Sequence, residues 1–322
     1  METSEQGYDV MVVGGGTTGL SAALVLARCR RRVVVVDAGR PRNAAADPHN
    51  FLTHDGTPPT EFLAAARAEV AGYGVTILSA TVRAVDRTKA GFTVATDGGR
   101  TLQARRLLVT TGQTYELPAL PGMHERWGRD VLHCPYCHGY KVRDQSLGIL
   151  ADTPRAVHSA LKLRQWSPDV MLFLHTMTDS EIGEQERAAL AARDVRVVEG
   201  TVTGLVVEDD RLTGIRLADG TVVPRCALFV PCRAVPHDPL LTALGARTEE
   251  TIADHRISTD SMGRTSVPGV WAAGDVTSPS SQLVTFAAAG TRAAIGLNAD
   301  LVAEDITVAQ TTHHTAPPVS TG

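Results

Sequence analysis

An α/β fold with two Rossmann-like units is what the 322-residue sequence predicts, and three observations carry it. The first is a strand, a glycine turn, a helix and a strand packed into about 30 residues at the N-terminus. The second is a further strand–helix–strand pattern beginning near residue 146. The third is a late return to an apolar run, Val270-Trp271-Ala272-Ala273-Gly274-Asp275, followed by a helix of small residues. Composition agrees: 43% hydrophobic and 20% charged residues suit a chain that buries a core. The formal net charge of −4 gives no general pull toward nucleic acid or anionic lipid. No apolar run reaches the roughly 18 residues of a membrane span. The N-terminus, Met1-Glu2-Thr3-Ser4-Glu5-Gln6, is polar and acidic, so no signal peptide is read there and a cytoplasmic protein is expected. Five Cys make no disulfide scaffold, and in a reducing compartment a close Cys pair points to redox chemistry or a metal.

The elements follow in order. Tyr8 to Val13 is an apolar strand, and Gly14-Gly15-Gly16-Thr17-Thr18-Gly19 follows at once. Leu20 to Ala27 reads as a helix, then Val33 to Val36 as a strand buried on both faces and ending at Asp37. Glu61 to Ala71 reads as a second helix. Thr76 to Val85 and Phe92 to Thr96 read as strands, with Asp97-Gly98-Gly99 as a hairpin turn. Leu107 to Thr111 is a short strand closed by Gly112. Pro-containing hinges stand at 117–122 and 235–239. Between them lie the cysteine segment, a strand at Gly148 to Ala151, a helix at Ala156 to Gln165 and a strand at Val170 to His175. Phe286 to Leu297 is the small-residue helix, and the stretch from 304 reads as a disordered tail rich in Thr, Ala and Pro.

Gly14, Gly16 and Gly19 occupy the GxGxxG positions. The first permits the tight turn, the second lets a pyrophosphate approach the backbone, and the third lets helix and strand pack closely. The helix N-terminus supplies N–H donors for phosphate. Asp37, 18 residues after Gly19, is placed to accept from a ribose hydroxyl. This spacing alone does not separate FAD from NAD.

His133-Cys134-Pro135-Tyr136-Cys137-His138-Gly139 is the chemically richest segment. Cys134, Cys137 and His138 match the CxxCH of haem attachment, but two dinucleotide folds without an export signal are the wrong setting. A zinc site would need Cys226 and Cys232, whose spacing is wider than the usual short loop. A redox dithiol needs only the two sulfurs that CxxC brings together, and this reading is favoured with no metal. His138 is a candidate to move the proton that thiol exchange requires, and His133 is either a second candidate or a bystander.

Taken together, GGGTTG at 14–19, Thr110-Thr111-Gly112, CxxC at 134–137 and Trp271 to Asp275 resemble the low-molecular-weight thioredoxin reductases over roughly residues 7 to 303. The resemblance implies two Rossmann-like FAD/NAD(P)-binding domains of that type. Residues 1–118 would be the first FAD-domain segment, 119–238 an inserted NADPH-domain-like segment carrying the CxxC, and 239–303 the second FAD segment, with 304–322 as the tail. It also implies a homodimer. FAD would be held by Gly14, Gly16, Thr18, Gly19, Asp37, Ala38, Arg42, Asn50, Val82, Thr111, Gly112, Gly274, Asp275, Gln282 and Leu283.

Two departures from that family matter. The second fingerprint reads Leu150-Ala151-Asp152-Thr153-Pro154-Arg155, without glycines, and His175-Thr176-Met177-Thr178-Asp179 lacks an arginine cluster, which argues against NADPH. The residue after the second Cys is His138, where thioredoxin reductases usually carry Asp. CPYCHG, and the run from Asp37 to Asn43, instead resemble the flavin-dependent dithiol oxidases that close disulfides in gliotoxin, holomycin and other dithiolopyrrolones, and romidepsin. That resemblance implies a small-molecule dithiol as substrate, O2 as acceptor, Cys134 as the sulfur the substrate attacks and Cys137 as the flavin-facing sulfur. The alternatives are a thioredoxin-type reductase fed by a donor other than NADPH, and a non-catalytic flavin redox sensor.

Overall fold

The computed structural model describes residues 7–39, 47–250, 255–278 and 281–315. Arg42, assigned to the cofactor by resemblance, lies outside them. The first stretch is β1 (Tyr8–Val13), α1 (Thr17–Arg28), β2 (Val33–Asp37), α2 (Pro59–Gly72), β3 (Thr76–Ser79), β4 (Val82–Thr88), β5 (Gly91–Thr96), β6 (Thr101–Val109) and β7 (Gln113–Glu116). The middle holds α3 (Met123–Arg126), β8 (Val131–Leu132), α4 (Pro135–His138), β9 (Leu147–Leu150), α5 (Arg155–Leu163), β10 (Val170–Phe173), α6 (Glu184–Ala192) and β11 (Arg196–Val198). It continues with β12 (Val202–Glu208), β13 (Arg211–Leu217), β14 (Val222–Pro224), β15 (Ala227–Phe229) and β16 (Arg233–Pro236). The last stretch is α7 (Pro239–Ala243), β17 (Thr248–Glu250), β18 (His255–Ile257), β19 (Val270–Ala272) and α8 (Leu283–Thr315).

These elements form two compact units. Among the described residues, the first comprises 7–39, 60–114 and those from 235 onward; the second comprises 47–59 and 115–234. The chain therefore changes unit inside β7 and inside β16, a few residues short of the boundaries at 118 and 238 expected from the Pro-rich hinges. Residues 47–59, assigned by resemblance to the cofactor domain, group with the second unit instead.

In the first unit β3, β2, β1 and β6 run parallel, with β1 central and buried as its Val-rich sequence requires. β6 is longer than the short strand read from the sequence, and its free edge serves two partners. Phe92 to Ala95 pair antiparallel with its first half, and Val270 to Ala272 pair parallel with its last residues. The Thr76 to Val85 strand is in fact two. It breaks at Ala80 and Thr81, where the Ala80 N–H is taken by the Asp37 carbonyl at 3.0 Å. α1 and α8 pack on one face through Leu20, Ala23, Leu26, Ala293, Ala294 and Leu297.

The tail expected from 304 is helical through Thr315. Its composition resembles a tail, but distant cations pin it. Arg31 and Arg105 each pair with Asp305, at 2.7 and 2.5 Å, and Arg106 pairs with Asp300 at 2.7 Å and with Glu304 at 2.6 Å.

In the second unit β11, β10, β9, β15 and β8 form a parallel sheet with α5 and α6 beside it, so the second strand–helix–strand pattern is present. A three-stranded antiparallel meander, β12 to β14, packs on the other side of its core. Among the described residues no helix is long and apolar enough to cross a membrane.

Candidate active site

The glycine turn of the first unit has the shape its sequence implies. Gly14 sits at φ +107°, and a Cβ there would lie 2.4 Å from the Thr110 carbonyl oxygen. A Cβ on Gly19 would lie 2.0 Å from the Gly14 oxygen, so α1 meets β1 as closely as backbone allows. Gly16 is different: a Cβ there would meet nothing within 4 Å. The turn is thus tight behind and open in front. The first turn of α1 carries no acidic residue and no side-chain cap, which leaves its N–H groups directed at the open side. Thr110, which sequence reading treated only as part of a motif, fixes the turn by donating its hydroxyl to Gly14 O at 2.9 Å and sharing it with Val13 O at 3.1 Å.

Of the other expected cofactor residues, Asp37 and Gly274 lie against this turn and α1, and Gly112 lies near Asp275. A Cβ on Gly274 would lie 2.6 Å from Thr18 Oγ1, and one on Gly112 would lie 4.0 Å from Asp275 Oδ2. Thr111 donates to the His237 carbonyl. Asp37 lies against the turn, since a Cβ on Gly15 would meet its carboxylate carbon at 2.7 Å. Ala38 follows it on the surface, and Val82 lies two residues beyond Ala80, whose N–H bonds the Asp37 carbonyl. Gln282 and Leu283 stand at the start of α8. Arg67 of α2 was not singled out by any motif, yet its Nη2 donates to Asp37 Oδ2 at 2.7 Å. No local spacing signals a partner 30 residues away.

Asn50 is elsewhere. Its amide Nδ2 donates to the Tyr136 carbonyl at 2.9 Å, within the second unit. Its own N–H is held by Asp55 at 2.7 Å.

Tyr136 lies between the two cysteines, which are joined as a disulfide with Cα atoms 5.3 Å apart. β8 delivers the chain to Cys134, and Pro135 opens α4 at the position where a missing N–H costs nothing. The Cys137 N–H donates to Cys134 Sγ at 3.2 Å. His133 is half-buried in an aromatic group, stacked on Trp127 at 5.3 Å and tilted against Tyr115 at 4.6 Å. Its ring lies 6.4 Å from that of His138. His138 is only 6% exposed. Burial pushes its pKa down to about 4; His49 and Lys141 act in the same direction and Asp47 opposes them. The imidazole is therefore neutral at pH 7 and has a nitrogen free of proton to accept one.

Cys226 lies apart from this pair, with Ser146 Oγ 3.3 Å from its sulfur. Among the described residues no three His, Cys, Asp or Glu side chains gather as metal ligands.

The turn after β9 corresponds to the glycine turn of the first unit. Ala151 is buried, Asp152 and Thr153 are exposed, and Pro154 caps α5 without a side-chain hydrogen bond. One cation, Arg155, follows. After β10, His175 turns inward enough for its Nδ1 to accept the Val202 N–H at 3.2 Å.

Residues 8–293 match the pattern of the pyridine nucleotide-disulphide oxidoreductases. The chain belongs to that family. It is 33% identical to thioredoxin reductase tcpT of Claviceps purpurea over 285 residues, covering 83% of this chain and 86% of the relative. Among solved structures, HlmI is 51% identical, with a TM-score of 0.89 over 96% of this chain and 97% of that one. An oxidoreductase from Agrobacterium tumefaciens is 34% identical, with a TM-score of 0.86 over 92% and 99%. The chain is thus a thioredoxin reductase-like disulfide oxidoreductase whose cofactor is FAD. The first unit fits this cofactor: an uncapped helix N-terminus behind an open Gly16 suits a pyrophosphate, and Asp37 suits a ribose.

Two expected outcomes follow from this geometry. Arg67 holds one carboxylate oxygen of Asp37, so Arg67→Ala should weaken FAD binding to the apoprotein about 5- to 30-fold, as loss of a charge-assisted hydrogen bond predicts. Flavin fluorescence titration reads this directly; an unchanged affinity would remove Arg67 from the cofactor site. The His138 ring refuses a proton that the unfolded chain accepts below pH 6.5, so stability is full above pH 6.5 and declines as pH falls toward about 4. The loss amounts to about 3 kcal/mol. Urea unfolding at several pH values should show this slope in the wild type and a flatter one in His138→Gln.

Proposed function

We propose that this flavoprotein is a dithiol oxidase, which closes an intramolecular disulfide in a small-molecule dithiol and passes the electrons to O2 as H2O2. One observation carries the reading: a complete redox disulfide shares its unit with a nucleotide turn that has lost its glycines and gained Asp152 and Pro154. A pyrophosphate there would meet a carboxylate and a residue without an N–H. An enzyme whose electrons come from the substrate has no need of NADPH. When bound, FAD supplies the two-electron acceptor for the protein dithiol and the donor to O2.

The chain's own residues perform the exchange. A substrate thiolate attacks Cys134 Sγ, forming a mixed disulfide while Cys137 leaves as thiolate. The substrate's second thiol, deprotonated, attacks its own bound sulfur. The cyclic disulfide departs, and Cys134 leaves as thiolate. The substrate has lost two electrons and two protons, and the protein disulfide has become a dithiol. The Cys137 N–H at 3.2 Å faces the sulfur that must carry this negative charge and stabilises it as a leaving group. Neutral His138 accepts the substrate proton. The imidazolium so formed and the thiolate stabilise each other, the ring being buried.

The CPYCHG motif and its resemblance to dithiol oxidases support a natural product of the dithiolopyrrolone class as substrate, hence a role in antibiotic biosynthesis. The resemblance to low-molecular-weight thioredoxin reductases supports a homodimer, and the polar, acidic N-terminus supports a cytoplasmic location. The names of the fungal relatives favour a second reading, a thioredoxin-type reductase, and the altered second turn would then require a donor other than NADPH. Cys134→Ser and Cys137→Ser separate chemistry from cofactor binding. Each variant should retain FAD, by its visible spectrum, while dithiol-dependent H2O2 production falls to background. Wild-type turnover in either would overturn the scheme.

A further inference from the structure

Resemblance assigns Asn50 to the cofactor, but in the structure its amide meets the redox turn. Its Nδ2 donates to the Tyr136 carbonyl at 2.9 Å. The N–H of that same peptide unit belongs to Cys137 and donates to Cys134 Sγ at 3.2 Å. One planar amide therefore joins the two hydrogen bonds. The Cys137 N–H also lies 3.2 Å from the Cys134 carbonyl, but that oxygen already takes the His138 N–H at 3.1 Å. Sulfur and oxygen share the Cys137 donor, and the sulfur's share grows as it gains negative charge.

The loop around Asn50 fixes where its amide points. The Asn50 backbone sits at φ +64°, a left-handed conformation that Asn tolerates better than most side chains. Its N–H donates to Asp55 Oδ1 at 2.7 Å, and His49 Nδ1 lies 3.2 Å from the other carboxylate oxygen. These two contacts hold the Asp55 carboxyl below the usual carboxylate range. The Gly56 N–H closes the loop on the Pro48 carbonyl at 2.9 Å.

A donor on a carbonyl draws electron density through the amide and strengthens the N–H at its other end, by about 10–30% per bond in such a chain. Here the far end is a sulfur that must leave as thiolate when the cyclic disulfide departs. We propose that Asn50 is a positioning residue for the exchange: through the Tyr136–Cys137 peptide it strengthens the hydrogen bond to Cys134 Sγ and stabilises that sulfur as a thiolate. The proposal rests on the dithiol-oxidase reading only in taking Cys134 as the sulfur that leaves. The bonds, protons and electrons of the exchange are unaltered. The other titratable or charged groups around the turn are His133 before it, His138 and Lys141 after it, Lys162 over the Tyr136 ring, and Asp47, His49 and Asp55 on the loop. A change confined to the Asn50 side chain removes none of them.

Asn50→Gly tests it, since glycine accepts the left-handed backbone and removes only the amide. The FAD-loaded protein also carries Cys137→Ser, which frees the Cys134 thiol and keeps the backbone N–H at 137. Alkylation by iodoacetamide is followed against pH and read at Cys134 by peptide mass. Asn50→Gly should move the profile to higher pH, with rates below the midpoint about two- to fivefold lower and the plateau unchanged. Asn50→Asp, which sets an acceptor against the carbonyl, should move it further. A second measurement uses the disulfide form labelled with 15N-cysteine. The amide signal that Cys137→Ser removes should shift upfield in Asn50→Gly, as a weaker donor does. An alkylation profile that stays in place, or an amide signal that does not move, would overturn the proposal. Neither measurement uses substrate or oxygen, so such a result leaves the oxidase reading standing; that reading fails separately, if no dithiol reduces the flavin.

Discussion

Two residues between Cys134 and Cys137 leave the sulfurs little choice. A single turn beginning at Pro135 sets their Cα atoms 5.3 Å apart, within the range that a disulfide spans without backbone movement. Opening and closing the bond then costs little reorganisation. The surrounding contacts keep that turn in place: Asn50 holds the Tyr136 carbonyl, Trp166 packs over Gly139, and the Cys137 N–H bonds back to Cys134. His138 is buried next to the pair in sequence, where a neutral ring is the stable form until a thiolate appears.

The two nucleotide turns show how one architecture is kept or given up as a phosphate site. Both follow a parallel strand and open a helix. In the first, Gly14 and Gly19 compress the backbone and Gly16 leaves open space before free N–H groups. In the second, Pro154 stands where a donor would be and Asp152 adds the charge that phosphate repels. The strand and helix remain because the core of the second unit needs Leu147, Ile149, Val157 and Leu163, whatever the turn between them holds.

Local pattern made the first strand–turn–helix–strand legible, along with the CxxC loop and the loss of the second fingerprint. Each depends on residues close in the chain. What stayed hidden depends on distant partners. Arg67 reaches Asp37 from a helix whose sequence shows only its amphipathic face. The last turns of α8 read as a tail, but Arg31, Arg105 and Arg106 hold Asp300, Glu304 and Asp305 from far up the chain. Asn50 carries no signal that it belongs beside Tyr136, because its position is set by how residues 47–59 pack and not by their spacing. The run from Thr76 to Val85 is continuous in β propensity, and only the pairing of Ala80 with Asp37 divides it.

The direction of electron flow is the central claim, and flavin absorbance near 450 nm, where oxidised flavin absorbs, reads it most directly. One anaerobic sample of the holoenzyme receives NADPH and another a small dithiol, and air is then admitted to both. The account predicts bleaching by the dithiol alone, followed by recovery of the oxidised spectrum and appearance of H2O2. Bleaching by NADPH would contradict it and make the chain an ordinary reductase.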